Sequence, residues 1–367
     1  MTKTKNKRIK NIEWIILVCV IMLVGIGLVA LASATIDDNY EELIKQAIWF
    51  GISIVVMIPI MLIDYEVIAK LSAPLYAIAL GLLVGVLFTT PINSATSWYD
   101  LGFFSLQPAE LSKVIVILFL SYIFVRFQEK GRDEISKIWR LGIIVLILAI
   151  PVGLIAYQPD FGTSLPFIFA TVIMLFVAGI KKRYIFITIL AIVIAVPLIY
   201  NFVLPTYAKA RIDVFLNPGI DPRGDGYNVL QSQLAIGAGQ LTGMGLFKGN
   251  QTQLGYLNPK STDFIFSVIG EELGFIGGSA VIILYVILVT KSIYVAKTAK
   301  DDLGSYIAIG IAGIFLFHMI QNIGMTMGLL PITGVPLPFV SYGGTGLVTN
   351  FIAIGLLLNI SGRRQKR

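Results

Sequence analysis

The sequence predicts an all-α, polytopic integral membrane protein with about ten transmembrane helices and both termini in the cytoplasm. Of its 367 residues, 56% are hydrophobic and only 13% are charged, which is more apolar surface than a soluble protein of this size could bury. The apolar runs are continuous, unlike the alternating strands of a transmembrane β-barrel. The predicted spans are 12–34, 43–63, 70–90, 108–126, 138–158, 162–180, 184–205, 264–290, 303–329 and 342–360.

The basic residues are divided unequally between the two sides of the predicted membrane. Of the 28 Lys and Arg residues, 21 lie on the side of the two termini, six lie on the opposite side, and Lys113 lies within a span. The positive-inside rule therefore assigns both termini to the cytoplasm. The net charge of +7 reflects this topology and attraction to anionic membrane lipids, and it does not indicate a nucleic-acid partner. A basic stretch precedes the first span, but the span is too long for a signal peptide and lacks a clear cleavage site, so it is predicted to be retained.

The chain is predicted to form a single transmembrane domain over residues 1–367, with one long extracytoplasmic loop at 206–262 between helices 7 and 8. Loops of this length are uncommon unless they are functional or disordered. This one is rich in Gly, Gln and Asn, and its stretch "YNVLQSQLAIGAG" is amphipathic enough for a short interfacial helix. No second domain or internal repeat is evident.

Four clusters of polar residues lie at the outer ends of the spans, at 97–113, 157–164, 261–274 and 329–346. Charged groups within a membrane are costly, so these residues are candidates for function. Because all four clusters lie on the same side, they predict one outward-facing site.

Each cluster also has a structural interpretation. Glu110 and Lys113 are three residues apart and can pair with each other, although a buried lysine is a poor choice for structure alone. Asp160 can cap the sixth span, and the Pro and Gly residues of 329–346 can shape a re-entrant segment.

The third cluster contains three carboxylates at the start of the eighth span. Either Thr262 or Asp263 is a natural N-cap for that helix. A helical wheel puts Asp263 at the top of a face of small and polar residues, with Glu271 nearly two turns deeper at its edge and Glu272 opposite. Capping explains Asp263 but neither glutamate.

The chemistry available at this site is that of carboxylates and cations beside Trp98 and Tyr99. Metal-cluster, nucleophile and nucleotide-binding signatures are absent from the sequence, and the single histidine, His318, is expected to be a packed or hydrogen-bonded helix residue. Carboxylates can act as a base or hold a divalent cation such as Mg²⁺ or Mn²⁺, and cations can neutralise phosphate. A substrate that is part lipid, part phosphate and part sugar suits this mixture, and so does a transporter with proton-relay carboxylates.

Five stretches, in order along nearly the whole chain, resemble the motifs of the SEDS family (shape, elongation, division and sporulation). They are "QPAELSK", "YQPDFGTS", "FLNPGIDPRGDGYNVLQSQLAIGAG", "STDFIFSVIGEELG" and "LLPITGVPLPFVSYGG". The resemblance implies a ten-span peptidoglycan glycosyltransferase that polymerises lipid II at the outer face of the bacterial cytoplasmic membrane. It also implies a complex with a class B penicillin-binding protein, which supplies transpeptidation. The loop stretch and the short tails are more similar to the rod-shape members, RodA, than to the division members, FtsW.

The resemblance also assigns roles to individual residues. Asp263 matches the essential aspartate of the family's long outer loop and is the predicted catalytic residue. The other matched positions, predicted to bind substrate, are Trp98, Glu110, Lys113 and Asp160. Two positions depart from the family pattern, since Ser97 and Ser261 stand where the family often has Arg and His.

The implied reaction explains why one base would suffice. A sugar hydroxyl attacks an anomeric carbon whose leaving group, undecaprenyl pyrophosphate, departs readily once its charge is countered, unlike the case of glycoside hydrolysis. Asp263 is the predicted base, and Lys113, Arg211 or a divalent ion could counter the pyrophosphate charge. Arg211 and Glu271 are also predicted among the substrate-binding residues, and Glu271 is expected either to tune the site or to stabilise the fold. A precursor flippase and a scaffold remain alternatives, although the carboxylates concentrate on one side, which favours an enzyme over a carrier.

We expect both termini to be cytoplasmic and residues 206–262 to lie outside, because the basic residues are so unequally divided. Once Cys19, the only cysteine, is replaced, single cysteines can be labelled in intact cells with a membrane-impermeant thiol reagent. Cysteines within 220–225 should be labelled and those within 130–136 should not. The reverse pattern would overturn both the topology and the position of the site.

Overall fold

The computed structural model describes residues 11–36, 39–90, 96–102, 104–202, 206–221 and 224–364. The basic tail before residue 11 and Arg223, which contribute to the charge asymmetry, lie outside the described residues. The helices are α1 Trp14–Ala34, α2 Glu41–Leu62, α3 Tyr65–Lys70, α4 Ser72–Gly85, α5 Pro108–Gln128, α6 Ile138–Tyr157, α7 Phe161–Val177, α8 Lys182–Phe202, α9 Thr206–Leu216, α10 Asp225–Ala238, α11 Asn250–Gln253, α12 Ile265–Thr298, α13 Asp302–Thr326 and α14 Gly344–Arg363. The 3₁₀ turns are Val86–Phe88, Arg132–Ser136 and Pro218–Ile220, and a short antiparallel hairpin pairs β1 Tyr99–Asp100 with β2 Ser105–Leu106.

Each of the ten predicted spans overlaps a helical segment, and the all-α polytopic fold class is confirmed. Among the described residues, seven helices are long and apolar enough to cross a membrane, namely α1, α2, α5, α6, α12, α13 and α14. Two shorter apolar helices, α4 with its 3₁₀ turn and α7, match the third and sixth spans, and α8 matches the seventh. In the long loop, α10 covers the stretch predicted to form an interfacial helix.

The helices pack as a bundle around α5, α13 and α14. Most residues of these three helices are buried, whereas α2 and α6 expose apolar side chains such as Val55 and Val145. Helix α14 packs along α2, and α13 packs against both α12 and α7. An outer surface of exposed apolar side chains is what lipid-facing helices require, because hydrocarbon rather than water surrounds them.

Ion pairs close one end of the bundle, and they join segments that the basic-residue distribution assigns to the cytoplasmic side. The start of α1, the link between α2 and α3, the link between α12 and α13 and the end of α14 all meet there. The pairs are Glu13 with Arg364 at 2.7 Å, Glu66 with Lys300 at 3.1 Å, and Asp64 with Arg363. The shared end agrees with an even number of crossings between the two termini.

Helix α12 is broken at Gly274, whose φ of +65° and ψ of −163° are not helical. A Cβ at Gly278 would lie 3.4 Å from the Phe266 ring, although a straight helix would separate these two Cα atoms by about 18 Å. The first arm, 265–273, is therefore bent back over the second arm, 275–298. The expectation of one continuous eighth span was wrong, because a left-handed glycine interrupts it.

The long loop 206–262, which is predicted to be the outer loop, supplies the backbone hydrogen bonds that the break removes. Loop carbonyls accept from the first amides of the second arm, and loop amides donate to the last carbonyls of the first arm. The four bonds are Phe275 N to Gln240 O at 2.8 Å, Ile276 N to Leu241 O at 3.2 Å, Met244 N to Glu271 O at 2.9 Å and Gly245 N to Glu272 O at 3.1 Å. The loop thus completes the two helix ends, which would otherwise leave unpaired groups.

The segment 329–343 enters the bundle without forming a helix. Buried side chains of α12 and α13 donate hydrogen bonds to its carbonyls, as non-helical backbone within a membrane protein requires. The bonds are Gln321 Nε2 to Pro331 O at 2.9 Å, Asn322 Nδ2 to Val335 O at 2.9 Å, His318 Nδ1 to Pro336 O at 2.9 Å and Tyr285 Oη to Pro338 O. The Pro and Gly residues of this segment therefore do shape a re-entrant backbone, and the same backbone forms one wall of the site.

Candidate functional site

The four polar clusters converge on one cavity of about 350 Å³. Each cluster contributes to its lining, and α9 of the outer loop adds a cation. The charged contributors are Glu110, Asp160, Arg211 and Asp263, and the aromatic contributors are Trp98, Phe161 and Tyr342. Gly334 of the re-entrant segment also lines the cavity. The sequence-based prediction that the clusters form a single site is therefore matched by the geometry.

Asp263 lies at the cavity in the residues that lead into α12. The helix begins at Ile265, its N-cap is Phe264, and no side chain caps it. The expectation that Thr262 or Asp263 caps this helix was wrong, because the chain enters the helix one residue later than the wheel assumed. The Asp263 carboxylate is consequently free of a capping role and faces the cavity, where a Cβ on Gly334 would lie 3.6 Å from its Oδ2.

The surroundings of Asp263 favour a carboxyl group that can exchange a proton near neutrality. Burial raises the pKa of Asp263 to about 6, against the opposing effects of the Arg211 charge and a hydrogen bond from the Thr262 side chain. The nearby charges of Asp160 and Asp225 raise the pKa further. A base whose pKa lies near the working pH can both accept and release a proton.

Asp160 caps α7 and also lines the cavity. Its Oδ1 accepts from Thr163 N at 3.3 Å and from Thr163 Oγ1 at 2.7 Å, and its Oδ2 accepts from Gln107 Nε2 at 2.9 Å. Burial raises the pKa of Asp160, while the Thr163 hydrogen bonds lower it. With both oxygens engaged, Asp160 is better suited to shaping the cavity than to taking a proton.

A close backbone approach brings α7 to the re-entrant segment. A Cβ at Gly162 would overlap the carbonyl of Thr333, so only glycine permits this contact. Thr333 also lines the cavity, so the approach holds the turn that carries Asp160 against the opposite wall.

Glu110 and Lys113 form a buried ion pair at 2.8 Å in the first turns of α5. Glu110 lines the cavity, but Lys113 lies behind it and does not. Lys113 Nζ also lies 3.1 Å from His318 Nε2. Because His318 Nδ1 donates to the Pro336 carbonyl, its Nε2 is left to accept from Lys113.

Lys113 is therefore placed to hold Glu110 rather than to contact a substrate. The prediction that Lys113 binds substrate or counters a pyrophosphate charge would place it at the cavity, whereas its contacts are with Glu110 and His318. His318 is a hydrogen-bonded helix residue, as expected, and it connects α13 to this pair.

Trp98 lines the cavity and immediately precedes strand β1. Its carbonyl accepts from Thr89 Oγ1 at 3.1 Å, and the neighbouring Tyr99 hydroxyl donates to Leu82 O at 2.9 Å. On the second strand, the Ser105 carbonyl accepts from Thr345 Oγ1 at 3.0 Å. The hairpin is thus tied to α4 and α14, which fixes an aromatic surface at the mouth of the site.

Arg211 is the only Lys or Arg side chain among the described residues that lines this cavity. Its Nε lies 3.5 Å from Asp225 Oδ2 at the start of α10, and both side chains are partly exposed. A partly exposed pair of this kind is weak, so Arg211 can turn towards an anion in the cavity. Neither Ser97, which also lines the cavity, nor Ser261 supplies a second cation.

Glu271, predicted to bind substrate, does not line the cavity. It is eight residues from Asp263 at the other end of the first arm, about 12 Å along a helix. Its Oε1 accepts from Gln251 N at 2.7 Å, and its Oε2 accepts from the backbone and hydroxyl of Thr252 at 3.0 and 2.7 Å. Glu272 Oε1 accepts from Gly249 N at 3.4 Å and Gln253 Nε2 at 3.2 Å in the loop, and from Ser33 Oγ of α1 at 2.6 Å. Both glutamates fasten the long loop to the bundle, so Glu271 stabilises the fold.

The sequence-based analysis overlooked Gln107 and Asn322. Gln107 binds the Asp160 carboxylate, and Asn322 donates both to Val335 O and to the carbonyl of Asp263 itself, each at 2.9 Å. A signal for Asn322 was present, because His318, Gln321 and Asn322 recur at helical spacing along a membrane-spanning helix.

The carboxylates at the cavity also bear on cation binding. Among the described residues, no group of three or more His, Cys, Asp or Glu side chains is arranged to hold a metal ion. Glu110 and Asp160 are each engaged by other side chains, so Asp263 is the carboxylate that could ligate a Mg²⁺ or Mn²⁺ ion, with further oxygen ligands from substrate phosphates or water.

A family model described as a cell cycle protein, under the name FtsW, RodA and SpoVE, matches residues 13–366. The chain is 37% identical to the probable peptidoglycan glycosyltransferase FtsW of Trichlorobacter lovleyi, over 97% of this chain and 95% of the relative. The sequence similarity therefore extends along nearly all of both proteins.

Two solved structures are similar to the fold. One chain of a peptidoglycan synthase complex, studied for the structural coordination of polymerization and crosslinking, matches with a TM-score of 0.82 and 28% identity, over 95% of this chain and 97% of that chain. The rod shape determining protein RodA of Thermus thermophilus matches with a TM-score of 0.72 and 26% identity, over 97% of this chain and 98% of that chain.

Proposed function

Because the chain belongs to the FtsW, RodA and SpoVE family of cell cycle proteins, we propose that it is a peptidoglycan glycosyltransferase that polymerises lipid II. The observation that carries the proposal is one cavity that is lined by both Asp263 and Arg211. The Asp263 carboxylate caps no helix, so it is available to a substrate in that cavity. Such a cavity offers a base and an anion-binding group to one substrate. We also propose that the protein resides in the bacterial cytoplasmic membrane with this cavity on the outer side.

The chemistry requires one proton transfer and one displacement. Asp263 accepts the proton of the attacking sugar hydroxyl as that oxygen bonds to the anomeric carbon of the second sugar. The bond from the anomeric carbon to the pyrophosphate oxygen breaks in the same displacement, which inverts the configuration at this carbon. Arg211 is placed to counter the charge that develops on the leaving undecaprenyl pyrophosphate.

The other lining residues bind and orient the substrate. Glu110 and Asp160 present oxygens that can accept hydrogen bonds from sugar hydroxyls, and Trp98 offers an aromatic face at the mouth. A divalent cation held by Asp263 would supply further compensation of the pyrophosphate charge. The lipid tail of the substrate can stay in the bilayer while its sugars enter the cavity.

We propose the elongation role, in which the protein acts in cell-wall growth and cell shape. The loop stretch and short tails support this assignment, and a division role is the alternative, since the relatives include both FtsW and RodA. A class B penicillin-binding protein is the proposed partner, and the similarity to a chain of a peptidoglycan synthase complex supports it. Incubating purified protein with lipid II, alone and with this partner, separates a polymerase from a flippase or a scaffold, because only the polymerase produces glycan strands.

We expect Asp263→Asn to abolish polymerisation while leaving the fold intact. The asparagine keeps the shape of the side chain but cannot take the proton, and losing one positioned base should lower the rate by about 10²–10⁴-fold. Expression, thermal stability and co-purification of the partner should not fall, because Asp263 does not cap α12 and the asparagine removes a buried charge. The rates are measured from the glycan strands formed from lipid II.

The Asp263 assay is repeated over a range of Mg²⁺ and Mn²⁺ concentrations. A changed metal requirement in Asp263→Glu would favour a ligand role over a base. Normal polymerisation by Asp263→Asn would refute both roles.

The raised pKa of Asp263 predicts that kcat/KM for polymerisation depends on pH. Above a pH of about 6 the carboxylate is charged and can accept a proton, so kcat/KM should be level there and should fall as the pH drops through 6. Acidification should not unfold the protein through this group, because a carboxyl whose pKa is raised by folding favours the folded state at low pH. Thermal stability measured at pH 5 and 7 is the control, and a kcat/KM that stays level down to pH 4.5 would contradict the role of Asp263.

We expect Lys113→Met to impair polymerisation more than Lys113→Arg, since the methionine leaves the buried Glu110 carboxylate without its cation. If the pair were only structural, replacing both partners by Gln and Met should restore the rate. We expect no recovery in the double variant, because Glu110 itself lines the cavity. Normal polymerisation by the double variant would show that the pair has no part in function.

A further inference from the structure

The main chain that carries Asp263 is held by neighbouring elements at three consecutive carbonyl groups. Two of the hydrogen bonds come from Ser341 and Tyr342, at the end of the 329–343 segment, and one comes from α13. They are Tyr342 N to Ser261 O at 2.9 Å, Ser341 Oγ to Thr262 O at 2.7 Å and Asn322 Nδ2 to Asp263 O at 2.9 Å. A segment outside regular structure is thereby given a fixed path.

Asn322 differs from the other two donors, which belong to the 329–343 segment, because it lies on α13 and binds both walls of the cavity from that helix. Its Nδ2 donates to Asp263 O and to Val335 O, each at 2.9 Å. The residue before Val335 is Gly334, whose backbone lies beside the Asp263 carboxylate. The side-chain amide of Asn322 therefore fixes both the Asp263 main chain and the backbone that the Asp263 carboxylate faces.

The side-chain amide of Asn322 lowers the stability of the fold in a way that an apolar side chain would not. The side chain is fully buried, and its Oδ1 has no hydrogen-bond partner among the described residues. An unpaired buried acceptor lowers stability. What an asparagine offers here, and a leucine does not, is the pair of donors towards Asp263 and Val335.

We propose that Asn322 is a positioning residue for glycosyl transfer, which holds the Asp263 main chain against the 329–343 segment so that the carboxylate faces the attacking hydroxyl. The proposal rests on the proposed function. Asn322 does not line the cavity, so it acts only through Asp263 and the segment. A base must lie within hydrogen-bond distance of the proton that it takes, so even a small displacement matters.

Gln321 provides a matched control on the same helix. It is buried, and its Nε2 donates to Pro331 O at 2.9 Å, in the same 329–343 segment. Among the described residues it forms no hydrogen bond with Asp263, and it does not line the cavity. Gln321→Ala and Asn322→Ala therefore each remove a side-chain hydrogen bond to this segment. Only Asn322→Ala also removes the hydrogen bond to the Asp263 carbonyl.

The test compares kcat and KM for lipid II polymerisation in the purified full-length variants. Asn322→Ala should lower kcat by about 10- to 100-fold, with KM within about threefold of the unaltered protein. Gln321→Ala should keep kcat within about threefold. Asn322→Asp, which has the same shape but lacks the donors, should be as slow as Asn322→Ala, and it carries the test if the alanine variant fails to fold.

The pH profile separates positioning from a general loss of stability. Arg211, Asp160, Asp225 and Glu110 are the charged groups around Asp263, and all four are unchanged in Asn322→Ala. A released carboxylate gains contact with water, so the acid limb of kcat/KM should move to lower pH in this variant. Gln321→Ala should keep the acid limb of the unaltered protein.

The outcomes distinguish this proposal from the proposed function. Failure of the unaltered protein to polymerise lipid II, alone or with its partner, would defeat the proposed function itself. Polymerisation by the unaltered protein, with equal kcat and equal acid limbs in Asn322→Ala and Gln321→Ala, would overturn only the positioning role. A fully active Asn322→Asp would overturn it as well.

Discussion

The carbonyl groups of residues 329–343 must find hydrogen-bond donors inside a helical bundle, and this requirement organises the site. Water is scarce at that depth, so the donors are side chains. Helix α13 supplies three of them from one face, His318, Gln321 and Asn322, and α12 supplies Tyr285. The face of α13 that would otherwise pack against apolar neighbours is polar for this reason. The cavity lies where these polar elements meet.

The same donors connect the charged residues to one another. His318 bridges the re-entrant carbonyl of Pro336 and the ammonium of Lys113, which in turn holds Glu110 at the cavity. A buried cation and a buried carboxylate are each costly alone, but paired and hydrogen-bonded they are tolerated. The energetic support of Glu110 therefore depends on the path of a segment more than 200 residues away.

The broken helix α12 adds the outer loop to this arrangement. Because Gly274 turns the chain back, the first arm needs new partners for its backbone, and the loop provides them. Glu271 and Glu272, at the C-terminal end of the first arm, accept hydrogen bonds from the loop and from α1. Asp263, just before the N-terminal end of the arm, caps no helix. Two carboxylates thus serve the fold and one is available for chemistry, although all three lie within ten residues of sequence.

Hydropathy alone determined the ten spans, because crossing hydrocarbon demands about 20 apolar residues in a row, which is a local property of the chain. The cost of charge in a membrane likewise identified the four clusters, and the family resemblance singled out Asp263, Glu110, Asp160 and Trp98, all of which line the cavity. Lys113 and Glu271, which were also predicted to bind substrate, do not line the cavity. A helical wheel assumes an unbroken helix, whereas the bend at Gly274 and the bond from Lys113 to His318 come from contacts between distant parts of the chain. Such contacts decide which buried polar group faces the cavity and which one supports it, since burial and pairing are properties of the packed structure rather than of local sequence.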